Sequence, residues 1–183
     1  MFDSGEAQML SQWTTLNSLP SPRSDCMALV VNTTIYVLGG YAYSTIPYPV
    51  LRTNIRSDGT ITSWVQESTK MIEARDRALG VYFNGYIYAI GGSNGLSNST
   101  TVERTQINPN GTLSTWTIIN ILPRSFYQST WVQHSNYVYI LGNYPGTTDV
   151  WRLSFNLDGS VGSWDLMTSH FDMPRYAAQA AIV

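Results

Sequence analysis

One short pattern recurs three times and sets the period of the chain. Ile35-Tyr36-Val37-Leu38-Gly39-Gly40, Ile87-Tyr88-Ala89-Ile90-Gly91-Gly92 and Val138-Tyr139-Ile140-Leu141-Gly142-Asn143 each place a Tyr between apolar residues, ahead of a Gly pair or its remnant. The tyrosines lie 52 and 51 residues apart. Trp13, Trp64, Trp116 and Trp164 recur at 51, 52 and 48, and Arg23, Arg75, Arg124 and Arg175 at 52, 49 and 51. Three independent markers with one period describe a tandem array of one supersecondary unit, which buries its apolar faces by stacking on its neighbours.

The residues within each unit read as four strands, a to d. Strand a, such as Cys26 to Val31, is a near-continuous apolar run, the pattern of an inner strand buried on both faces. Short turns at Asn32-Thr33, Asn84-Gly85 and Ser135-Asn136 lead into the Tyr-bearing strand b. Strand c follows a variable loop at Leu51 to Ile55, Val102 to Ile107 and Val150 to Phe155, and Asp58-Gly59, Asn110-Gly111 and Asp158-Gly159 turn each into a Trp-bearing strand d. Glycine supplies the positive φ that such turns require.

The period, the Pro-Arg before strand a, the Gly pair and the downstream Trp together resemble the kelch repeat, over nearly the whole chain. That resemblance implies an all-β fold of four-stranded antiparallel propeller blades. Two positions depart from the pattern: Asn143 replaces the second Gly, and Ala74 stands where Pro would precede Arg75. Both are expected to relax the local geometry.

The chain thus reads as one repeat domain over 1–183, with blades at about 20–67, 72–118 and 122–166 and partial-blade strands at 9–16 and 174–183. Propellers close with ~4–8 blades, and an open stack leaves apolar faces and strand edges in water. Either the rest of a longer propeller or further copies of the chain, sharing composite blades, are expected to cover them.

Ten Lys plus Arg against twelve Asp plus Glu give a net charge of −2 with no basic run, so the chain lacks the electrostatic footprint of a nucleic-acid binder. No segment approaches the ~18 apolar residues of a membrane-spanning helix, and MFDSGEAQML is acidic where a signal peptide would be basic and then apolar. Lys70 is the only lysine, Ser, Thr, Asn and Tyr abound, and sequons begin at Asn32, Asn98 and Asn110, which points to an extracellular or cell-surface protein. Cys26 is alone, which rules out an internal disulfide, and it reads as a core thiol.

Loops b–c and d–a emerge on one face, and these long, variable connections form the expected recognition surface. Tyr41, Tyr43 and Tyr48 in the first b–c loop and Tyr144 in the third offer rings that are apolar on the face and polar at the tip, suited to glycan or protein contact or to packing on their own blade. Arg23, Arg75, Arg124 and Arg175 open the inner strands. They would either bond loop carbonyls of neighbouring blades or ring the channel with guanidinium groups for an anionic ligand.

His134 and His170, the only histidines, form no metal-ligand pattern, and no phosphate loop or G-x-S-x-G elbow is present, so neither a metal nor a cofactor is expected. Cys26 and two distant histidines do not make the copper site of galactose oxidase, which has kelch-like blades. Ser57-Asp58-Gly59-Thr60 is similar to the sialidase Asp-box but lacks a residue between Asp and Gly. The expectation is a non-catalytic propeller module that binds a protein or glycan through its b–c and d–a loops. Two alternatives stand: a structural fragment that completes its ring by homo-oligomerisation, and part of a sialidase-like or oxidase-like enzyme whose active site lies outside this chain.

Overall fold

A computed structural model describes residues 12–41 and 49–180, and twelve strands lie among them. The first blade holds β1 (Met27–Val31), β2 (Thr34–Leu38), β3 (Leu51–Asn54) and β4 (Val65–Gln66). The middle blade holds β5 (Leu79–Phe83), β6 (Tyr86–Ile90), β7 (Thr101–Gln106) and β8 (Thr117–Ile121). The third holds β9 (Thr130–His134), β10 (Tyr137–Leu141), β11 (Val150–Phe155) and β12 (Val161–Leu166). Each sheet is an antiparallel meander in chain order.

The register is the same in all three sheets. Tyr36 faces Arg52, Tyr88 faces Arg104 and Tyr139 faces Arg152 across the second and third strands. Side chains alternate across a strand, so β6 serves two interfaces at once. Ile87 and Ala89 join Tyr36, Leu38, Val50 and Trp116 in the core between the first and middle blades. Tyr88 and Ile90 join Val102, Val138, Ile140 and Phe155 in the core between the middle and third. Burying each of the Val, Leu, Ile and Phe side chains among them stabilises the stack by about 1.5–3 kcal/mol.

Two repeat markers meet across these interfaces. The Tyr36 hydroxyl donates to the Gly111 carbonyl of the middle blade at 2.7 Å, and the Tyr88 hydroxyl to the Gly159 carbonyl of the third at 3.0 Å. The tyrosine of one blade therefore ties down the Asx-Gly turn of the next. Burial pushes the Tyr88 hydroxyl up to about 12, and raises Tyr36 as well, so both remain proton donors.

The Gly pair has a matching steric cause. A Cβ on Gly39, Gly91 or Gly142 would stand 2.2 to 2.4 Å from the carbonyl oxygen of Arg75, Phe126 or Arg175 respectively, and all three have φ between 61° and 68°. The next residue then donates its amide to that same carbonyl: Gly40 to Arg75, Gly92 to Phe126 and Asn143 to Arg175.

Three expectations change. The inner strand of the middle blade is covered on both faces through Leu79, Gly80 and Val81, but β1 alternates, with Ala28 and Val30 exposed, because no blade packs on its outer face among the described residues. Cys26 lies one residue before β1 and is half-buried, not in the core. Asn143 is not a relaxed position: it is buried, its Oδ1 accepts the Tyr127 amide at 2.7 Å, and its Nδ2 donates to the Ser125 carbonyl at 3.0 Å.

At the ends of the described chain, residues 12–19 and 177–180 join no sheet, and Trp13 is 98% exposed. Residues 9–11 and 181–183 of the expected partial strands lie outside the described residues. Both terminal segments nevertheless lie against a blade. Asn17 Nδ2 donates to the Ile61 carbonyl at 3.3 Å, and Trp64 Nε1 donates to the Asn17 carbonyl at 3.0 Å. Arg175 bridges to Thr147, and the Ala177 amide reaches the Gln128 carbonyl at 2.8 Å.

Candidate functional site at the axis side of the loop face

The recurrent arginines do not form a ring. Arg75 is wholly buried, donating through Nη1 to the Gly91 carbonyl (2.7 Å) and Ser99 Oγ (2.8 Å), and through Nη2 to Glu103 Oε1 (2.7 Å) and Thr101 Oγ1. Arg23 does the same work in the first blade, its Nη1 donating to the carbonyls of Gly39 at 3.2 Å and Pro49 at 3.1 Å. The carbonyls belong to the arginine's own blade, so each guanidinium staples its own b–c loop rather than a neighbour's.

Arg124 stands two residues out of register. The carbonyls that meet the successive glycine pairs belong to Arg75, Phe126 and Arg175, which makes Phe126 the true counterpart in the third blade. The 49-residue spacing to Arg124, short of 51 or 52, was the visible sign of that shift. Arg124 instead pairs with Asp149 at 2.9 Å at the surface. Arg175 is exposed, its guanidinium 5.8 Å from the Phe171 ring centre.

A second arginine series belongs to none of the sequence motifs. Arg52, Arg104 and Arg152 recur 52 and 48 residues apart, one opposite each strand-b tyrosine. Arg52 pairs with the buried Glu67, whose Oε2 accepts the Leu113 amide of the middle blade at 2.9 Å. Arg104 and Arg152 lie 4.8 Å over the rings of Tyr86 and Tyr137.

The axis side of the loop face is shaped by another repeated feature. Asp25, Arg77, Gln128 and Ala177, each two residues beyond the arginine-type position, have φ of 54°, 49°, 52° and 48°. These left-handed residues turn the chain into the inner strands and line a cavity of about 220 Å³ together with Ser129 and Gln179. Arg77 dominates its charge. Its Nη2 meets Asp25 Oδ2 at 3.0 Å and its Nη1 donates to the Tyr127 hydroxyl at 2.7 Å, with Asp76 Oδ2 at 3.4 Å. Burial raises the Asp76 carboxyl above its ordinary value against the opposing pull of Arg77.

Three tyrosines border this cluster in a chain of edge-to-face contacts. Tyr127 and Tyr144 have ring centres 5.9 Å apart at 87°, and Tyr144 and Tyr176 lie 5.4 Å apart at 90°. Tyr144 is 49% and Tyr176 50% exposed. Tyr41 holds the place of Tyr144 in the first blade, its amide donating to the Ser24 carbonyl as the Tyr144 amide donates to that of Tyr127. Tyr43 and Tyr48 lie outside the described residues. Of the three, only Tyr144 is a candidate from the sequence; Tyr127 and Tyr176 each precede a positive-φ residue, a backbone feature that carries no residue-type signal.

The histidines lie elsewhere: His134 closes β9 in an exposed position, and His170 is exposed beside Phe171. The Asp58-Gly59 turn, the Asp-box resemblance, is a capped hairpin, since Asp58 Oδ1 accepts both the Thr60 amide and its hydroxyl. Asn110 with Thr112 and Asp158 with Ser160 repeat the arrangement in the other blades.

Three meandering sheets stacked through alternate faces, with inner strands β1, β5 and β9 side by side, are blades of a β-propeller in an open arrangement. The family description "Kelch motif" matches residues 74–104, in the middle blade. A solved structure titled "Structure of YjhT" aligns with a TM-score of 0.68 at 17% identity, over 86% of this chain and 55% of that one. The chain therefore spans little more than half the length of that structural relative, and the likeness is one of fold. No curated protein matches the sequence.

Proposed function

We propose that the chain is a non-catalytic interaction module that takes a protein or glycan partner at the axis side of its loop face. The observation that carries this reading is the line of Tyr127, Tyr144 and Tyr176 beside the Arg77–Asp25 pair. Half-exposed tyrosine rings offer apolar faces with little side-chain entropy to lose, while the neighbouring charged pair and the Gln128 amide offer hydrogen bonds of fixed direction. The titratable groups nearest the cavity are engaged with one another, Arg77 with Asp25, Asp76 and Tyr127, an arrangement that orients a ligand rather than moves protons. An extracellular or cell-surface setting goes with this reading, since Asn32, Asn98 and Asn110 are all exposed.

Binding of the labelled chain to a glycan array and to a peptide-display library tests it. Hits lost in Tyr144→Ala and Tyr176→Ala and kept in Arg124→Ala are the expected result. Hits indifferent to both tyrosines, or chemical turnover of a bound ligand, would contradict it.

A further inference from the structure

Exposed large apolar side chains are spread unevenly over the two ends of the sheets. Among the described residues, the b–c and d–a connections hold Tyr41, Ile72, Leu96, Tyr144, Met173 and Tyr176. The a–b and c–d turns at the opposite end hold Leu157 alone. Both ends are built from the same strands of the same blades, so the asymmetry belongs to the connections themselves.

Leu96 stands furthest out, at 97% exposure. A missing neighbour is not the cause, because the middle blade is flanked by the first on one side and the third on the other. Nor is the loop loosely held. Asn94 Oδ1 accepts the amides of Leu96 at 2.9 Å and Ser97 at 2.8 Å, and the Asn94 amide donates to the Ser97 carbonyl at 3.1 Å. Ser93 Oγ accepts the Gly95 amide at 3.1 Å and donates to the Ser97 carbonyl at 3.2 Å. The Ser99 amide then closes the loop on the Gly92 carbonyl at 2.8 Å. These bonds fix residues 92–99 in a turn that holds the Leu96 side chain off its own blade.

We propose that the partner of the loop face is a folded protein and that Leu96 is the anchor it receives in an apolar pocket. The proposal rests on the reading of this face as an interaction surface and commits it to one class of partner. A leucine presented in this way has nearly all of its burial still to gain and little ordering left to lose on binding. A leucine-sized apolar pocket is a feature of folded proteins. A glycan instead stacks on aromatic rings and takes directed hydrogen bonds, and the side chains of Ile72, Leu96 and Met173 supply neither. Residues 92–99 carry no charge, and Glu73, Arg77, Asp172 and Arg175 in the d–a connections are of both signs, so this end lacks the basic cluster that an anionic lipid surface attracts.

The test screens the full chain against a display library of folded extracellular domains, with the glycan array and phosphatidylserine vesicles in parallel. Domain binders are expected, weakened about tenfold to hundredfold in Leu96→Ser and little changed in Leu96→Met, which nearly conserves volume. Asn94→Ala keeps the leucine but frees its loop, and should weaken binding about fivefold. Leu157→Ser, at the opposite end, should leave binding unchanged. Thermal midpoints equal to that of the parent chain show that none of these variants acts through folding. No domain binder, binders indifferent to Leu96→Ser, or vesicle binding lost in Leu96→Ser would overturn the proposal. Glycan hits lost in Tyr144→Ala but kept in Leu96→Ser would overturn it and leave the interaction module standing, whereas hits of no kind would remove both.

Discussion

The middle and third blades solve the same problem at the same position with opposite chemistry. In the middle blade the arginine-type position and its partner on the third strand are Arg75 and Glu103, both fully buried and 2.7 Å apart. Glu103 also accepts the amides of Ile72 and Glu73, at 2.6 and 2.8 Å. In the third blade the equivalent residues are Phe126 and Trp151, with ring centres 6.2 Å apart and Trp164 5.4 Å from Phe126. The b–c loop that Arg75 holds through carbonyls is held in the third blade by the buried amide of Asn143. Asn143, in place of the second glycine, thus ties this loop to residues 125 and 127 where the third blade has no buried arginine. A buried ion pair and a well-packed apolar pair can stabilise a site about equally, but only the ion pair leaves an uncompensated charge when one member is removed.

That contrast can be broken first at Arg75. Arg75→Ala is expected to lower the unfolding free energy by about 3–5 kcal/mol, because Glu103 would lose its ion-pair partner in a fully buried site. Arg124→Ala, at an exposed pair, should cost under about 1 kcal/mol. Denaturant midpoints compare the two, and equal costs would show that the sequence-aligned arginines are equivalent after all. The double variant Arg75→Phe with Glu103→Trp, which imports the chemistry of the third blade, should recover only part of the loss, since the amides of Ile72 and Glu73 would still lack their acceptor.

A smaller effect sharpens the comparison between covered and open faces. Tyr88→Phe removes a hydrogen bond from a buried hydroxyl to the Gly159 carbonyl and should cost about 1–2 kcal/mol. Tyr139→Phe, the same change on the open face, should leave the stability of the isolated chain within about 0.5 kcal/mol, as surface changes usually do. Thermal unfolding of the pair reads the difference directly.

The blades were legible in the sequence because each marker has a mechanical role that any unit must fill. The tyrosine reaches a turn carbonyl, the first glycine clears a neighbour's carbonyl, and the Asx residue caps its own hairpin. Periodicity finds such positions without knowledge of what they touch. It failed where one role passed to another residue type: Arg124 looked like a repeat of Arg75, but Phe126 and Asn143 had taken over its work. The cluster of Arg77, Tyr127 and Tyr176 was hidden for a related reason. Its members share a backbone position defined by positive φ, not a residue type, and the positions hold Asp25, Arg77, Gln128 and Ala177 in turn. The exposure of β1 was invisible too, since an apolar run does not reveal whether a neighbour is there to cover it.

The claim beneath all of this is that coverage by neighbouring blades, more than strand composition, sets local stability along the chain. Hydrogen exchange followed strand by strand tests it most directly. The account predicts slowest exchange in β5 and β6, where both faces are covered, and faster exchange in β1 and in β10, which each have one face uncovered among the described residues. Equal protection in all three blades, or greatest protection in β10, would contradict it.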